Sequence, residues 1–140
     1  MERDDARRAE IVEKLFKAWS SGDADAPEQY LTADAVLSDS IGGEYQGWPN
    51  IREYFQRGLD HYPDLELVPT GEYWFRDDGL ALTWRMSATA QDDRYGPGTQ
   101  GRRWSVEGMS YIIFDGDRIS LEVDYHDAGA RARSLQQPSA

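Results

Sequence analysis

Apolar residues recur at helical spacing in the first part of the chain. Ile11, Leu15, Ala18 and Trp19 fall on one face and Val12 and Phe16 widen it, which predicts a helix over roughly residues 4–21. Gly22 follows the last periodic residue, where a C-terminal cap is expected. Asp25-Ala26-Pro27-Glu28 starts a short second helix, with proline in its first turn. Residues 35–38 read as a short strand and residues 39–47 as a loop. A third helix opens at Trp48-Pro49-Asn50. It carries Ile51, Tyr54, Phe55, Leu59 and Tyr62 at helical spacing and ends at Pro63, with His61 as a helix-end residue.

Beyond Pro63 the pattern becomes that of strands. Residues 65–70 and 72–75 are rich in β-formers, and Asp77-Asp78-Gly79 turns into a long strand over about residues 80–90. A polar, glycine-rich loop at 91–101 precedes a strand at 102–114. Asp115-Gly116-Asp117 makes a hairpin turn into a last strand at about 118–126. The tail after Asp127 is small and polar and is expected to fray, leaving an ordered core of about residues 5–128 in one domain spanning 1–140. Helices before a run of antiparallel strands imply an α+β fold, with helices packed on one face of a bent sheet. A strongly bent sheet closing over helices makes a cone with a cavity at its wide end.

Strict alternation sorts the strand side chains into faces. On the last strand Ser120, Glu122, Asp124 and His126 oppose Ile119, Leu121, Val123 and Tyr125. On the strand before it Trp104, Val106, Gly108, Ser110 and Ile112 oppose Glu107, Met109, Tyr111 and Ile113. On the strand before that, Thr83, Arg85, Ser87 and Thr89 oppose Leu82, Trp84, Met86 and Ala88. Alternation alone leaves open which face is inward. Both faces carry apolar side chains, so a homodimer covering the outer one is expected.

Composition narrows the function. The chain has 140 residues and a formal net charge of −11, which repels phosphate backbones and argues against nucleic acid. There is no cysteine, so disulfides and thiolate metal sites are excluded. The N-terminal MERDDARRAE is charged and no apolar run is long enough to span a bilayer, so a cytoplasmic protein is expected, without a signal peptide or membrane partner. The two histidines and scattered acids show no metal-ligand spacing, and the Gly42-Gly43 and Gly96-Pro97-Gly98 runs lack the context of a phosphate loop. Five tryptophans and eight tyrosines exceed the ordinary share for this length; aromatics build cores and also line pockets for flat apolar ligands.

Several segments resemble a known family: His61-Tyr62-Pro63-Asp64-Leu65, Gly98-Thr99-Gln100-Gly101-Arg102, Asp115-Gly116-Asp117-Arg118-Ile119 and Asp124-Tyr125-His126-Asp127. They look like a SnoaL-like polyketide cyclase of the nuclear transport factor 2-like superfamily, which also holds ketosteroid isomerases and limonene-type epoxide hydrolases. The resemblance runs from about residue 8 to 135. The stretch Val36-Leu37-Ser38-Asp39-Ser40-Ile41-Gly42-Gly43-Glu44 is similar to the isomerase segment holding its base, and Asp39 falls on that base. Asp124 falls on the last-strand aspartate that cyclases and limonene-type hydrolases use as acid or base. The resemblance implies that Glu122, Asp124 and His126 point inward or toward the rim, with Arg85, Ser87, Trp104, Val106 and Ser110 in the pocket. Leu15 and Ser110 replace the isomerase's oxyanion-hole groups, so steroid isomerisation by that arrangement is not expected. Arg85 matches the arginine of the limonene-type triad, but Ser87 replaces its second aspartate.

These residues suit proton transfer. A carboxylate in an apolar cavity is a better base near neutral pH because desolvation raises its pKa, and two carboxylates in one dry pocket push their pKa values apart. Asp39 and Asp124 are the expected pair, with Arg85 and His126 assisting and Trp104, Tyr54, Phe55 and Trp74 as aromatic walls. The expected activity is cyclisation or isomerisation of a hydrophobic, polyketide-like molecule, with no metal or organic cofactor. The alternatives are an epoxide hydrolase or epoxide-opening cyclase, a pericyclic cyclase and a non-catalytic hydrophobic-ligand-binding protein. Duller roles stay open too: Asp39 as a turn residue, His126 as a rim residue, Arg85 as the structural partner of an acid.

Overall fold

A computed structural model describes residues 4–136. Helix α1 (Asp5–Trp19) starts where Asp4 caps it, the carboxylate accepting the Arg7 backbone N–H at 3.0 Å. A short 3₁₀ turn (Ala26–Tyr30) leads to β1 (Leu31–Asp39) and β2 (Gly43–Gln46). Then come α2 (Trp48–His61), β3 (Glu66–Phe75), β4 (Gly79–Thr89), β5 (Arg103–Asp115), β6 (Arg118–His126) and α3 (Ala130–Gln136). The fold is α+β, with one six-stranded sheet in the order β2-β1-β6-β5-β4-β3. All pairs are antiparallel except β1 with β6, which makes the sheet mixed.

Three local features depart from the sequence reading. Residues 43–46 form an edge strand rather than loop; they are mostly exposed and carry no apolar alternation, and pairing with β1 and the stacking of Tyr45 on Tyr54 hold them. Residues 66–75 form one strand with a register shift between Pro69 and Tyr73, where Gly71 takes a φ of 100° that side chains disfavour. Through residue 136 the tail does not fray. It forms α3, whose Leu135 is fully buried and whose Leu135 carbonyl accepts from Arg102 at 2.5 Å, while Ser134 Oγ accepts the Ser105 N–H at 3.1 Å. Residues 137–140 lie outside the described residues.

The helices cover one face of the sheet. Val12, Leu15, Phe16 and Trp19 of α1 and Ile51, Phe55 and Leu59 of α2 pack with Leu80, Leu82, Trp84, Ile112, Phe114 and Ile119 from the strands. A second cluster gathers Tyr62, Ala88, Ala90, Trp104 and Val106 around Leu135. Cross-strand register defines the covered face: Ala88 opposite Trp104, Met86 opposite Val106, Trp84 opposite Gly108 and Leu82 opposite Ser110, which in turn opposes Asp124. Ile119 belongs to this face as well, although strict alternation grouped it with Leu121 and Tyr125. Ile113 pairs with Leu121 and Phe114 with Ile119, so Ser120 is the extra residue of a bulge that flips the phase.

Candidate active site

The parallel pairing of β1 with β6 sets Asp39 beside Asp124 and Leu37 beside Glu122. Residues paired in register on adjacent strands share a face, so acids 85 positions apart in sequence reach the same hollow between the sheet and α1 and α2. That cavity measures about 280 Å³, near the lower end of small-molecule pockets. Trp19, Leu37, Phe55, Leu67 and Met86 give it an apolar wall; Asp39, Glu122, Asp124 and His126 supply polar groups.

Each polar group is held. Asp39 Oδ1 accepts the backbone N–H of Ile41 at 2.8 Å and of Gly42 at 2.9 Å, an Asx turn at the end of β1. Tyr54 donates to Asp39 Oδ2 at 3.4 Å, and His126 Nε2 lies 3.2 Å from Oδ1. The Asp39 and His126 side chains are only 13% and 8% exposed. Ser110 donates to Asp124 Oδ1 at 2.5 Å and itself accepts the Trp84 indole N–H at 2.8 Å. Trp19 donates its indole N–H to Glu122 Oε1 at 3.3 Å. The Asp39 turn and its place on the cavity are one arrangement, so the two sequence readings of this residue are not exclusive.

The three carboxyls differ in charge state. Burial works to raise Asp39, but hydrogen bonds from His126 and the Gly42 and Ile41 N–H groups outweigh it and hold it down at about 2. Asp39 is therefore an ionised acceptor, and the ring nitrogen facing it, Nε2, carries the proton. Glu122, 3% exposed, goes the other way: burial, then the charge of Asp124 and a hydrogen bond with it, push it well above the usual carboxylate range. Asp124 is also raised by burial, against hydrogen bonds from Glu122 and Ser110 that oppose the shift. Glu122 and Asp124, two positions apart on β6, are thus both displaced upward, and the charge of Asp39, which the sequence reading paired with Asp124, adds to the rise of each.

Not every expected residue reaches the cavity. Asp39, Asp124, His126, Glu122, Tyr54 and Phe55 line it. Ser110 stands behind Asp124 as its hydrogen-bond donor. Arg85 and Ser87 do not enter: they oppose Glu107 and Ser105 on the uncovered face, where Arg85 pairs with Glu107 at 3.3 Å. The phase that buries Trp84 and Met86 sends their neighbours outward. Trp74, opposite Ala81 on that same outer face, is 50% exposed. Trp104 and Val106 are buried on the covered face but belong to the second cluster, beneath α3. Sequence reasoning missed Trp19 and Tyr62, taken as helix packing, and Arg131, in the tail expected to fray; all three line the cavity. Arg131 and Leu135 stand four residues apart, on one face of a helix, which was the available signal.

Fold and cavity together define a nuclear transport factor 2-like α+β protein with an acidic pocket under its helices. Residues 12–122 match the SnoaL-like domain, so the chain belongs to the SnoaL-like family. A candidate polyketide cyclase from Acidithiobacillus ferrooxidans is similar in structure, with a TM-score of 0.81, 21% identity and coverage of 99% of this chain and 100% of that one. IdmH of Streptomyces antibioticus, also a candidate polyketide cyclase, gives a TM-score of 0.80 at 16% identity over 93% of this chain and 99% of its own. A Catenulispora acidiphila protein with a ketosteroid isomerase-like fold, in complex with trimethylamine, gives 0.79 at 17% identity over 92% and 94%. No curated protein matches this chain. Among the described residues no helix is long and apolar enough to cross a membrane, and no cluster of His, Asp or Glu has the arrangement of a metal site.

Proposed function

We propose that the protein catalyses cofactor-free cyclisation or isomerisation of a hydrophobic, polyketide-like small molecule, with Asp124 and Glu122 as the proton-transferring groups. The observation that carries this reading is that the buried Glu122, and Asp124 bonded by Ser110, stand two residues apart on β6 and line one apolar cavity. A general base or acid is most effective when its pKa lies near the working pH, and burial moves both carboxyls upward from their ordinary values.

In the proposed chemistry Asp124 takes a proton from a carbon next to a carbonyl. The C–H electron pair becomes the enolate, and Glu122 shares the proton that Asp124 has gained. In cyclisation the enolate carbon attacks a second carbonyl of the same molecule. One C–C bond forms, and the proton ends on that carbonyl's oxygen. In isomerisation the proton returns at another carbon. Neither route consumes water or changes oxidation state. Acid–base transfer of this kind contributes about 10²–10⁴-fold, and holding the substrate folded against Trp19 and Phe55 supplies the remainder. Asp39, held at about 2, is too weak a base at neutral pH. Its part is to hold Nε2–H of His126, leaving Nδ1 to exchange a proton with a substrate oxygen. A limonene-type epoxide opening has no support in this cavity, since Arg85 lies on the opposite face of the sheet.

The test uses 2-tetralone, a bicyclic ketone, and follows deuterium uptake from D₂O at its α-carbon by NMR. The full chain is expected to exceed buffer catalysis, and Asp124→Asn to lose about 10²-fold or more of that rate. No acceleration by the full chain, or an unchanged rate in Asp124→Asn, removes the acid–base reading and leaves a binding or substrate-folding role.

We further propose that a second copy covers the outer sheet face, where Trp74, Met109, Tyr111 and Tyr125 are exposed. Light scattering is expected to give twice the chain mass; a mass near 15.9 kDa rejects the homodimer.

A further inference from the structure

Helix α3 brings to the cavity a cation for which the proposed proton transfer has no use. Arg131 lines that cavity. Its guanidinium stands 4.1 Å from the centroid of the Trp104 ring and 5.1 Å from that of Tyr62. Arg7, Arg52, Arg85, Arg94, Arg103 and Arg133 each hold a carboxylate partner. Arg131 has none within ion-pair distance among the described residues, in a chain with 26 acidic residues against 15 lysines and arginines. Its Nε is buried without an acceptor among the described residues.

Around the guanidinium stand phenols. The hydroxyls of Tyr62 and Tyr95 lie 3.5 Å apart, and the charge of Arg131 acts on both phenols. Burial works to raise Tyr95, and hydrogen bonds with Tyr62 and Arg131 hold it below its ordinary value. An unpaired guanidinium beside hydroxyl donors in a partly dry hollow is the arrangement that captures a carboxylate, because its planar fork matches both oxygens. The position along the sheet adds a length. Arg131 stacks over Trp104, while Asp124 is bonded by Ser110, six positions further along β5. At about 3.3 Å per residue those anchor points are roughly 20 Å apart along the strand, and the Arg131 side chain spans part of that distance.

We infer that Arg131, with the hydroxyls of Tyr62 and Tyr95, forms an anion subsite that holds a carboxylate of the hydrophobic substrate at the end away from Asp124. That the carboxylate belongs to a substrate rests on the function proposed above; the subsite itself does not. Arg131 is a specificity-determining residue in this scheme. It selects an acid over the corresponding neutral molecule and sets which carbon lies against Asp124.

The experiment compares 2-naphthoate with its neutral isostere 2-naphthamide by isothermal titration of the full chain at pH 7.5. The wild type is expected to bind naphthoate at least 10-fold more tightly. Arg131→Gln is expected to lose that preference while its naphthamide affinity stays within about 2-fold, and Arg131→Lys to keep part of it, since it retains charge without the fork. Tyr62→Phe and Tyr95→Phe leave the guanidinium in place and are expected to lower the preference by a few fold, which keeps the test informative if Arg131→Gln unfolds α3. Equal binding of the two probes by wild type, or an undiminished preference in Arg131→Gln, overturns the subsite. Asp124→Asn should keep the preference. A preserved preference with no 2-tetralone exchange leaves the subsite standing and removes the catalytic reading, and the reverse pattern removes only the subsite.

Discussion

Replacing Asp39 by asparagine tests the electrostatics of the site with little change of shape. The amide oxygen still accepts the Ile41 and Gly42 N–H groups, so the turn survives and the charge is what disappears. In the fold this carboxyl sits at about 2 against an ordinary 3.8. That gap, at about 1.4 kcal/mol per pH unit, is about 2 kcal/mol of folding stability at pH 7. The side chain is only 13% exposed, so solvent screening removes little of it. Because the folded value is the lower one, the contribution is present above pH 3.8 and fades as pH falls toward 2; roughly half should remain at pH 3. Urea unfolding of both proteins at pH 7 and pH 3 measures this. With a slope of about 1–3 kcal/mol per molar urea, the midpoint of Asp39→Asn should fall by roughly 1 M at pH 7. A deficit of the same size at both pH values would refute the reasoning, since it would trace to packing or turn geometry rather than to charge.

Three further outcomes follow from the same geometry. Glu122→Gln keeps an acceptor for Trp19 but cannot ionise. Its stability relative to wild type should therefore grow as pH rises above 4.5, and thermal unfolding at pH 4.5, 6.5 and 8.5 giving a flat difference would contradict the raised Glu122. Gly108→Ala puts a methyl group against the Trp84 indole and 2.7 Å from the Tyr125 carbonyl oxygen. It should cost about 1–3 kcal/mol and, by displacing the donor to Ser110, lower 2-tetralone exchange; unfolding and exchange indistinguishable from wild type would count against that support chain. Leu135→Ala removes the buried anchor of α3 and should cost about 2 kcal/mol, the low end for such truncations because a terminal helix can undock. Loss of near-ultraviolet circular dichroism from Trp104 would report the undocking, and an unchanged spectrum and stability would show that α3 does not depend on this contact.

Periodicity alone located α1, α2 and the long strands β4, β5 and β6, because each repeats its apolar positions often enough to reveal its period. It also set Glu122, Asp124 and His126 on one face of one strand, since alternation is a local property of the backbone. Which face turned inward was left open, and the resemblance set Arg85 and Ser87 in the pocket, although they share the polar face of β4 with Thr83 and Thr89 and went to the outer side. The bulge at Ser120 is likewise a property of two paired strands and cannot be read from either alone. Edge strand β2 and helix α3 have weak patterns of their own and exist through contacts made by distant residues.

The chemistry divides along the same line. Residue types and their phase on a strand are written in the sequence, so acids aimed at a common surface were legible. The parallel register that sets Asp39 beside Asp124, the His126 ring that helps keep Asp39 ionised and the burial that pushes Glu122 upward arise only when β1, β6 and α1 are packed together. A carboxyl's charge state depends on its desolvation and its neighbours in space, and both are supplied by chain segments far away in sequence. The same holds for Arg131, which meets Trp104 and Tyr62 only after the C-terminal helix has docked.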